Sequence, residues 1–137
     1  MITAVFDTNV VVSGMLSPHG PPGIIVDRLR SGALRAVLDD RIFDEYREVL
    51  LRPRLRLPKA EVRIVLDAIR THAHYVDIPA DLDTTGYSDP DDALFLACAR
   101  VAGVCFVTGN LRHYPKRLAG SVQVLTPTDY LAQTRKH

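Results

Sequence analysis

The sequence predicts an α/β fold: a single-domain, three-layer α/β/α sandwich around a parallel central sheet of about five strands. Short apolar runs, continuous rather than alternating, recur along the chain and are separated by longer segments with apolar residues at helical spacing. Continuous apolar runs suit strands buried on both faces, and strands joined through helices lie parallel, with helices covering each face. Pro, Gly and Asp stand at the segment boundaries and mark where the elements start and stop.

Ile2 to Phe6 reads as the first strand. A second apolar run, Val10-Val11-Val12, follows Asp7-Thr8-Asn9, and Ser13-Gly14 is expected to close the loop after the strand. Pro22 to Ser31 carries Ile24, Ile25, Val26 and Leu29 at helical spacing and stops at Gly32. Leu34 to Leu38 is strand-like. Asp39 or Asp40 then caps a helix from about Arg41 to Leu51 that Pro53 ends, and a further helix runs from near Pro58 to about Thr71. His74 to Ile78 fits a third strand, and the polar stretch from Pro79 to Ser88 leads as a loop into an apolar helix from Asp91 to Ala102. Val104 to Val107 is the fourth strand, Leu111 to Leu118 a short helix or turn, and Val122 to Leu125 the fifth strand. Thr126-Pro127-Thr128-Asp129 opens the last helix with a cap, a Pro and an acid.

At 137 residues the chain is long enough for one domain with a proper core, so a single unit, 1–137, is the expected division. No apolar run approaches the roughly 20 residues of a membrane helix. The N-terminus lacks a charged segment ahead of its apolar run, so no signal peptide is expected, and the expected compartment is the cytoplasm. Cys98 and Cys105 lie in apolar stretches without CxxC spacing and read as core residues rather than as a disulfide or zinc site.

A net charge of +1 does not mark a nucleic-acid binder, but the distribution is uneven. From Arg47 to Arg63 there are six bases against two acids, whereas Asp77 to Asp92 carries six acids and no base. A phosphodiester-cleaving enzyme needs such neighbours, cations for the backbone and acids for a metal; a solvated charged surface is the plainer alternative.

Parallel α/β sheets bind ligands outside the carboxyl ends of their strands. Asp7 falls just beyond strand one and Asn110 just beyond strand four; if those strands are neighbours the two residues meet, and Asp92 at a helix start can join them. A carboxylate at a core boundary requires compensation, and a shared divalent cation supplies it; a capping Asp is the simpler reading. Glu45 lies at the edge of the stripe formed by Ile42, Tyr46, Val49 and Leu50, where it either faces a partner or pairs with Arg41 or Arg52. Asp89, Asp91 and Asp92 open a nearly all-apolar helix. Capping and the helix dipole explain part of this, but three acids in four residues exceed what capping requires. Thr108-Gly109-Asn110 offers a hydroxyl, a flexible backbone and a carboxamide, and Arg112, His113, Lys116 and Arg117 follow, either near the site or facing solvent.

Four segments in order, Phe6-Asp7-Thr8-Asn9-Val10-Val11-Val12-Ser13, the Glu45 helix with Val49-Leu50-Leu51-Arg52-Pro53, Ser88-Asp89-Pro90-Asp91-Asp92 before Phe95-Leu96-Ala97, and Val107-Thr108-Gly109-Asn110, strongly resemble the PIN-domain nucleases. The likeness spans nearly the whole chain and is greatest to the branch assigned as toxin components of toxin-antitoxin systems. It implies that Asp7, Glu45 and Asp92 bind a metal ion, with Asp89 an additional nearby acid. The family's fourth acid falls at Asn110, a departure that removes one negative charge and weakens the case for a second ion. The resemblance implies hydrolysis of RNA by water activated on Mg²⁺ or Mn²⁺. Asp89 or Asn110 would bind the ion through water or orient the attacking water, Thr108 or Ser13 would position a phosphate, and Arg52, Arg54 and Arg56 would grip RNA. It further implies a homodimer and an antitoxin protein as partner.

Two other readings exist. Asp7-x-Asn9 after a first strand also resembles haloacid-dehalogenase-like phosphatases, with Asp7 as nucleophile, but Asn9 cannot serve as general acid and no convincing phosphate motif follows. A catalytically weak or inactive module that binds RNA or a partner on the same fold is the other, and Asn110 favours it.

Overall fold

In the computed structural model, which describes residues 2–134, five strands form one sheet. They are β1 (Thr3–Phe6), β2 (Arg35–Leu38), β3 (His74–Tyr75), β4 (Phe106–Val107) and β5 (Val124–Leu125), ordered β3-β2-β1-β4-β5 and parallel throughout. The helices are α1 (Thr8–Leu16), α2 (Pro21–Ser31), α3 (Asp40–Leu50), α4 (Lys59–His72), α5 (Asp92–Ala102), α6 (Lys116–Ala119) and α7 (Pro127–Thr134), with 3-10 turns at Pro53–Leu55 and Leu111–His113.

Aromatic residues on the central strands identify the layers. Successive strand residues point to opposite faces. Phe6 meets Tyr130 of α7 edge-on, with ring centroids 5.7 Å apart. Phe106, which is in register with Val5, stacks instead on Phe95 of α5 at 5.6 Å. Helices therefore cover both faces, as an α/β/α sandwich requires: α5 lies against β1, β2 and β4, while α2 packs on α1, α4 and α7. Val5, Phe6, Ala36, Val37, Leu38, Phe106 and Val107 are all buried, which is the two-sided burial that continuous apolar strands imply.

The expected elements all occur, with differences at their ends. The last three strands are shorter than the apolar runs that mark them: only His74 and Tyr75, both exposed, form β3, and β4 and β5 each pair over two residues. Asp39 caps α3, accepting from the Ile42 amide at 3.0 Å. Thr126 accepts from the Asp129 amide at 3.1 Å at the start of α7. Asp89 closes a turn by accepting from the Asp91 amide at 3.0 Å, and α5 itself begins at Asp92.

The main correction lies after β1. The expected loop closed by Ser13 and Gly14 is the helix α1, which Asp7 caps through the Asn9 amide at 3.4 Å. Three consecutive valines have weak helix propensity, yet tertiary packing overrides it. A Cβ on Gly14 would stand 2.4 Å from the Pro22 carbonyl oxygen and 2.4 Å from Val26 Cγ2, so glycine here permits the close crossing of α1 and α2. Cys98 and Cys105 are buried free thiols whose pKa values burial pushes up to about 12 and about 11.

Chain order reverses between β1 and β4: β1 continues to β2 on one side and borders β4 on the other. The carboxyl ends of these two strands flank the crevice in which such sheets bind ligands.

Candidate active site

Phe6 and Val107 end their strands side by side, so the residues that follow, Asp7 and Thr108, face each other across the switch point. Thr108 Oγ1 donates to Asp7 Oδ2 at 2.7 Å. Asn9 joins the same cluster: its Nδ2 donates to Asp7 Oδ2 at 3.3 Å, and its Oδ1 accepts from the Gly109 amide at 3.3 Å. Beneath them Tyr46 of α3, fully buried, donates from its hydroxyl to the Phe6 carbonyl at 2.5 Å and ties α3 to the end of β1.

One turn of α3 before Val49, Glu45 is half-buried, while Asp44 and Glu48 are exposed, as the helical stripe requires. Glu45 Oε2 accepts from Thr8 Oγ1 at the start of α1. Neither Arg41 nor Arg52 neutralises it: Arg41 pairs with Asp39 at 2.8 Å and Arg52 with Glu48 at 3.6 Å. Asp92 opens α5 and has both oxygens engaged. His113 Nδ1 lies 3.0 Å from Oδ2, and the Tyr114 hydroxyl donates to Oδ1 at 3.0 Å. The Tyr114 ring is in turn fixed edge-on against Phe106 at 4.7 Å.

Asp7, Glu45, Asp92, Asp89 and Asn110 all line one cavity of about 420 Å³. Asp91 joins these acids, and Arg52 and Arg54 form part of the same wall. Three of the residues singled out from the sequence do not line this cavity. Ser13 is an exposed residue midway along α1 and does not line the cavity, because a helix replaces the loop that would have brought it there. Thr108 is fully buried with its hydroxyl committed to Asp7, so it positions that carboxylate instead of facing the cavity. Arg56, with φ 53°, terminates the 3-10 turn in a left-handed conformation and also lies off the cavity lining.

The electrostatics are those of crowded acids. Burial pushes the Asp7 carboxyl above the usual range; the Thr108 hydroxyl and Asn9 amide oppose the rise, the Asp92 charge adds to it and His113 opposes it. Glu45 is also raised, by burial first, against its bond from Thr8, with Asp7, Asp91 and Asp89 adding repulsion. Asp92 is raised by burial, with Tyr114 and His113 opposing and Asp89 adding.

These donors suit a hard divalent cation: carboxylate and carboxamide oxygens that converge on one cavity and raise one another's pKa. Among the described residues no three His, Cys, Asp or Glu side chains stand close enough together to ligate an ion as they are. Each carboxylate also accepts from or faces a protein group: Asp7 from Thr108 and Asn9, Glu45 from Thr8 through Oε2, and Asp92 from Tyr114 beside His113.

Sequence reasoning missed Thr8 and Tyr114. Both lie next to residues it singled out, but a hydroxyl that supports a carboxylate distant in sequence leaves no local signal. His113 was noted only as one of several bases.

A protein-family model described as PIN domain matches residues 3–112. The match runs from β1 into the 3-10 turn after β4 and includes Asp7, Glu45, Asp92 and Asn110, while His113, Tyr114 and β5 lie beyond it. A comparison with curated proteins finds no match.

Proposed function

The chain belongs to the PIN-domain family, and on that premise we propose that it is a divalent-metal-dependent endoribonuclease hydrolysing RNA phosphodiester bonds. The observation that carries the proposal is the cavity at the β1/β4 switch point. Carboxylates from the end of β1, from α3 and from the start of α5 line it, and two arginines stand on its wall.

In this reading Asp7, Glu45 and Asp92 hold Mg²⁺ or Mn²⁺, which when bound lowers the pKa of water and neutralises charge developing on the phosphoryl oxygens. Asp89 and Asn110 orient the attacking water. Thr108 and Asn9 keep Asp7 fixed, and His113 and Tyr114 do the same for Asp92. Arg52 and Arg54 draw the phosphate toward a cavity whose acids would otherwise repel it. No side chain has to form a covalent intermediate.

The choice of RNA, the role as toxin component of a toxin-antitoxin system with an antitoxin protein as partner, the homodimer and the cytoplasmic location rest on the motif resemblance. Among the described residues no helix is long and apolar enough to cross a membrane.

The test is cleavage of structured and unstructured RNA with Mg²⁺ or Mn²⁺, comparing the wild type with Asp7→Asn. Metal-dependent cleavage that the variant loses supports the proposal. Binding without turnover by the wild type identifies a non-catalytic module and refutes it, as does hydrolysis confined to small phosphate monoesters.

A further inference from the structure

A second cavity, of about 400 Å³, lies between α3 and α4. Phe43, Leu51, Val62 and Leu66 give it an apolar floor, and Arg47, Lys59, Arg63 and Arg70 surround it, with Asp67 as its single acidic lining residue. Arg47 is paired with Asp44 at 2.6 Å. Among the described residues no carboxylate comes within 4.0 Å of Lys59, Arg63 or Arg70. Unpaired cations around one groove repel one another, and an anionic occupant relieves that repulsion.

Arg70 makes the groove more specific than a charged patch. Its guanidinium lies over the Phe43 ring, 4.2 Å from the centroid, while Phe43 itself is buried. The contact with the ring anchors the guanidinium, and Arg70 remains exposed. A planar cation fixed in this way is a platform on which an unpaired nucleobase stacks, with phosphates reaching the neighbouring bases.

The groove and the carboxylate cavity flank the same helix. Along α3, Glu45 and Val49 line the cavity, whereas Phe43, Arg47 and Leu51 line the groove on the other side of the helix. A strand passing between them crosses the C-terminal end of α3, a helix about 10 Å across. The 3-10 turn that follows that end carries Arg52, Arg54 and Arg56.

We propose that the α3/α4 groove holds a single-stranded stretch of polynucleotide flanking the scissile bond, with a base stacked on Arg70 and phosphates on Lys59 and Arg63. This deepens the nuclease reading and rests on it. Both faces of a single strand are used: riboses and bases meet the apolar floor and phosphates meet the rim. A duplex would bury its bases and leave the floor without a partner.

The experiment measures binding of a labelled single-stranded RNA of ~12 nucleotides, within the span of such sites, across a salt series without divalent ion. Lys59→Ala combined with Arg63→Ala should weaken binding and flatten the log-log salt slope by about 1.4, two single-strand phosphate contacts. Arg70→Lys keeps the charge and loses the plane, so affinity should fall several-fold with an unchanged slope. Arg30→Ala, an exposed cation on α2, should change neither.

Hydrolysis of bis(p-nitrophenyl) phosphate with Mn²⁺, a substrate too short to reach the groove, should be the same in all these proteins. Variants that fold by circular dichroism and bind the oligonucleotide like the wild type overturn the groove. So does displacement of an acidic, apolar peptide that shows the same sensitivities when RNA shows none. Loss of all hydrolysis in the wild type, with the binding differences intact, refutes the nuclease reading and leaves the strand-binding groove standing.

Discussion

Thr108 Oγ1 donates to Asp7 Oδ2 at 2.7 Å, joining residues 101 positions apart at the ends of adjacent strands. The hydroxyl offsets part of the penalty that burial places on the ionised carboxylate. It also accepts from the Asn110 amide at 3.0 Å, so one side chain arranges both the first acid and the loop after β4.

Thr108→Val keeps the shape of the buried side chain and removes the hydroxyl. A hydrogen bond to a charged group contributes about 1.5–3 kcal/mol, so Asp7 should become harder to ionise. Divalent-ion affinity at neutral pH, followed by calorimetric titration, should weaken by roughly 10- to 100-fold. An unchanged affinity would mean that Asp7 is not a ligand or that Thr108 does not support it.

Asp7→Asn should lose metal-dependent cleavage by ~1000-fold or more, since the charge stabilisation supplied by a bound ion amounts to several kcal/mol. Asn is also an N-capping residue, so α1 keeps its cap, and the buried charge is gone. Thermal melts of the metal-free variant should match or exceed those of the wild type. A clear fall in melting temperature would assign Asp7 to the fold instead.

The pH dependence follows from three carboxyls raised above ordinary values of 3.8 for Asp and 4.5 for Glu. Above those values the folded state retains protons that the unfolded chain has released. These groups therefore favour the fold fully below the ordinary range, and that contribution is lost as pH rises through their raised folded values. Metal-free melting temperature should decline across this window, more steeply than in Asp7→Asn. Mn²⁺ at 100 times its dissociation constant should restore about 2.7 kcal/mol at neutral pH. Differential scanning calorimetry with and without the ion checks both signs.

Tyr114→Phe keeps the ring against Phe106 and deletes the donor to Asp92 Oδ1. The expected outcome is a fall in kcat of about 10-fold, the cost of one modest hydrogen bond, with KM for RNA little changed. A purely structural role would instead lower the melting temperature without a selective loss of kcat.

Tyr46→Phe removes the bond to the Phe6 carbonyl and leaves a buried oxygen without that partner. Urea unfolding should register a loss of about 1–3 kcal/mol.

Glu45 and Ser13 show how far the sequence carries. Glu45 was legible because helical periodicity fixes which face of α3 a residue occupies, and the half-buried edge position follows directly. Ser13 was misassigned because Val10-Val11-Val12 has no helical signature of its own. Asp7 caps that segment locally, but the contact of Gly14 with Pro22 and Val26, which seats it as a helix against α2, is not local information of the kind periodicity reads. The supporting hydroxyls of Thr8 and Tyr114 escaped for the same reason: their partners are 37 and 22 residues away.

The sequence by itself determined the parallel α/β architecture, the order of its strands and helices along the chain, and the acids at their boundaries. Apolar periodicity and capping chemistry act over a few residues and survive without knowledge of neighbours. Strand order, and with it the adjacency of β1 and β4, was decided only by tertiary packing. That adjacency brings Asp7 to Thr108 and gathers Glu45 and Asp92 around one cavity, because burial of two sheet faces chooses among pairings that local propensity leaves equivalent.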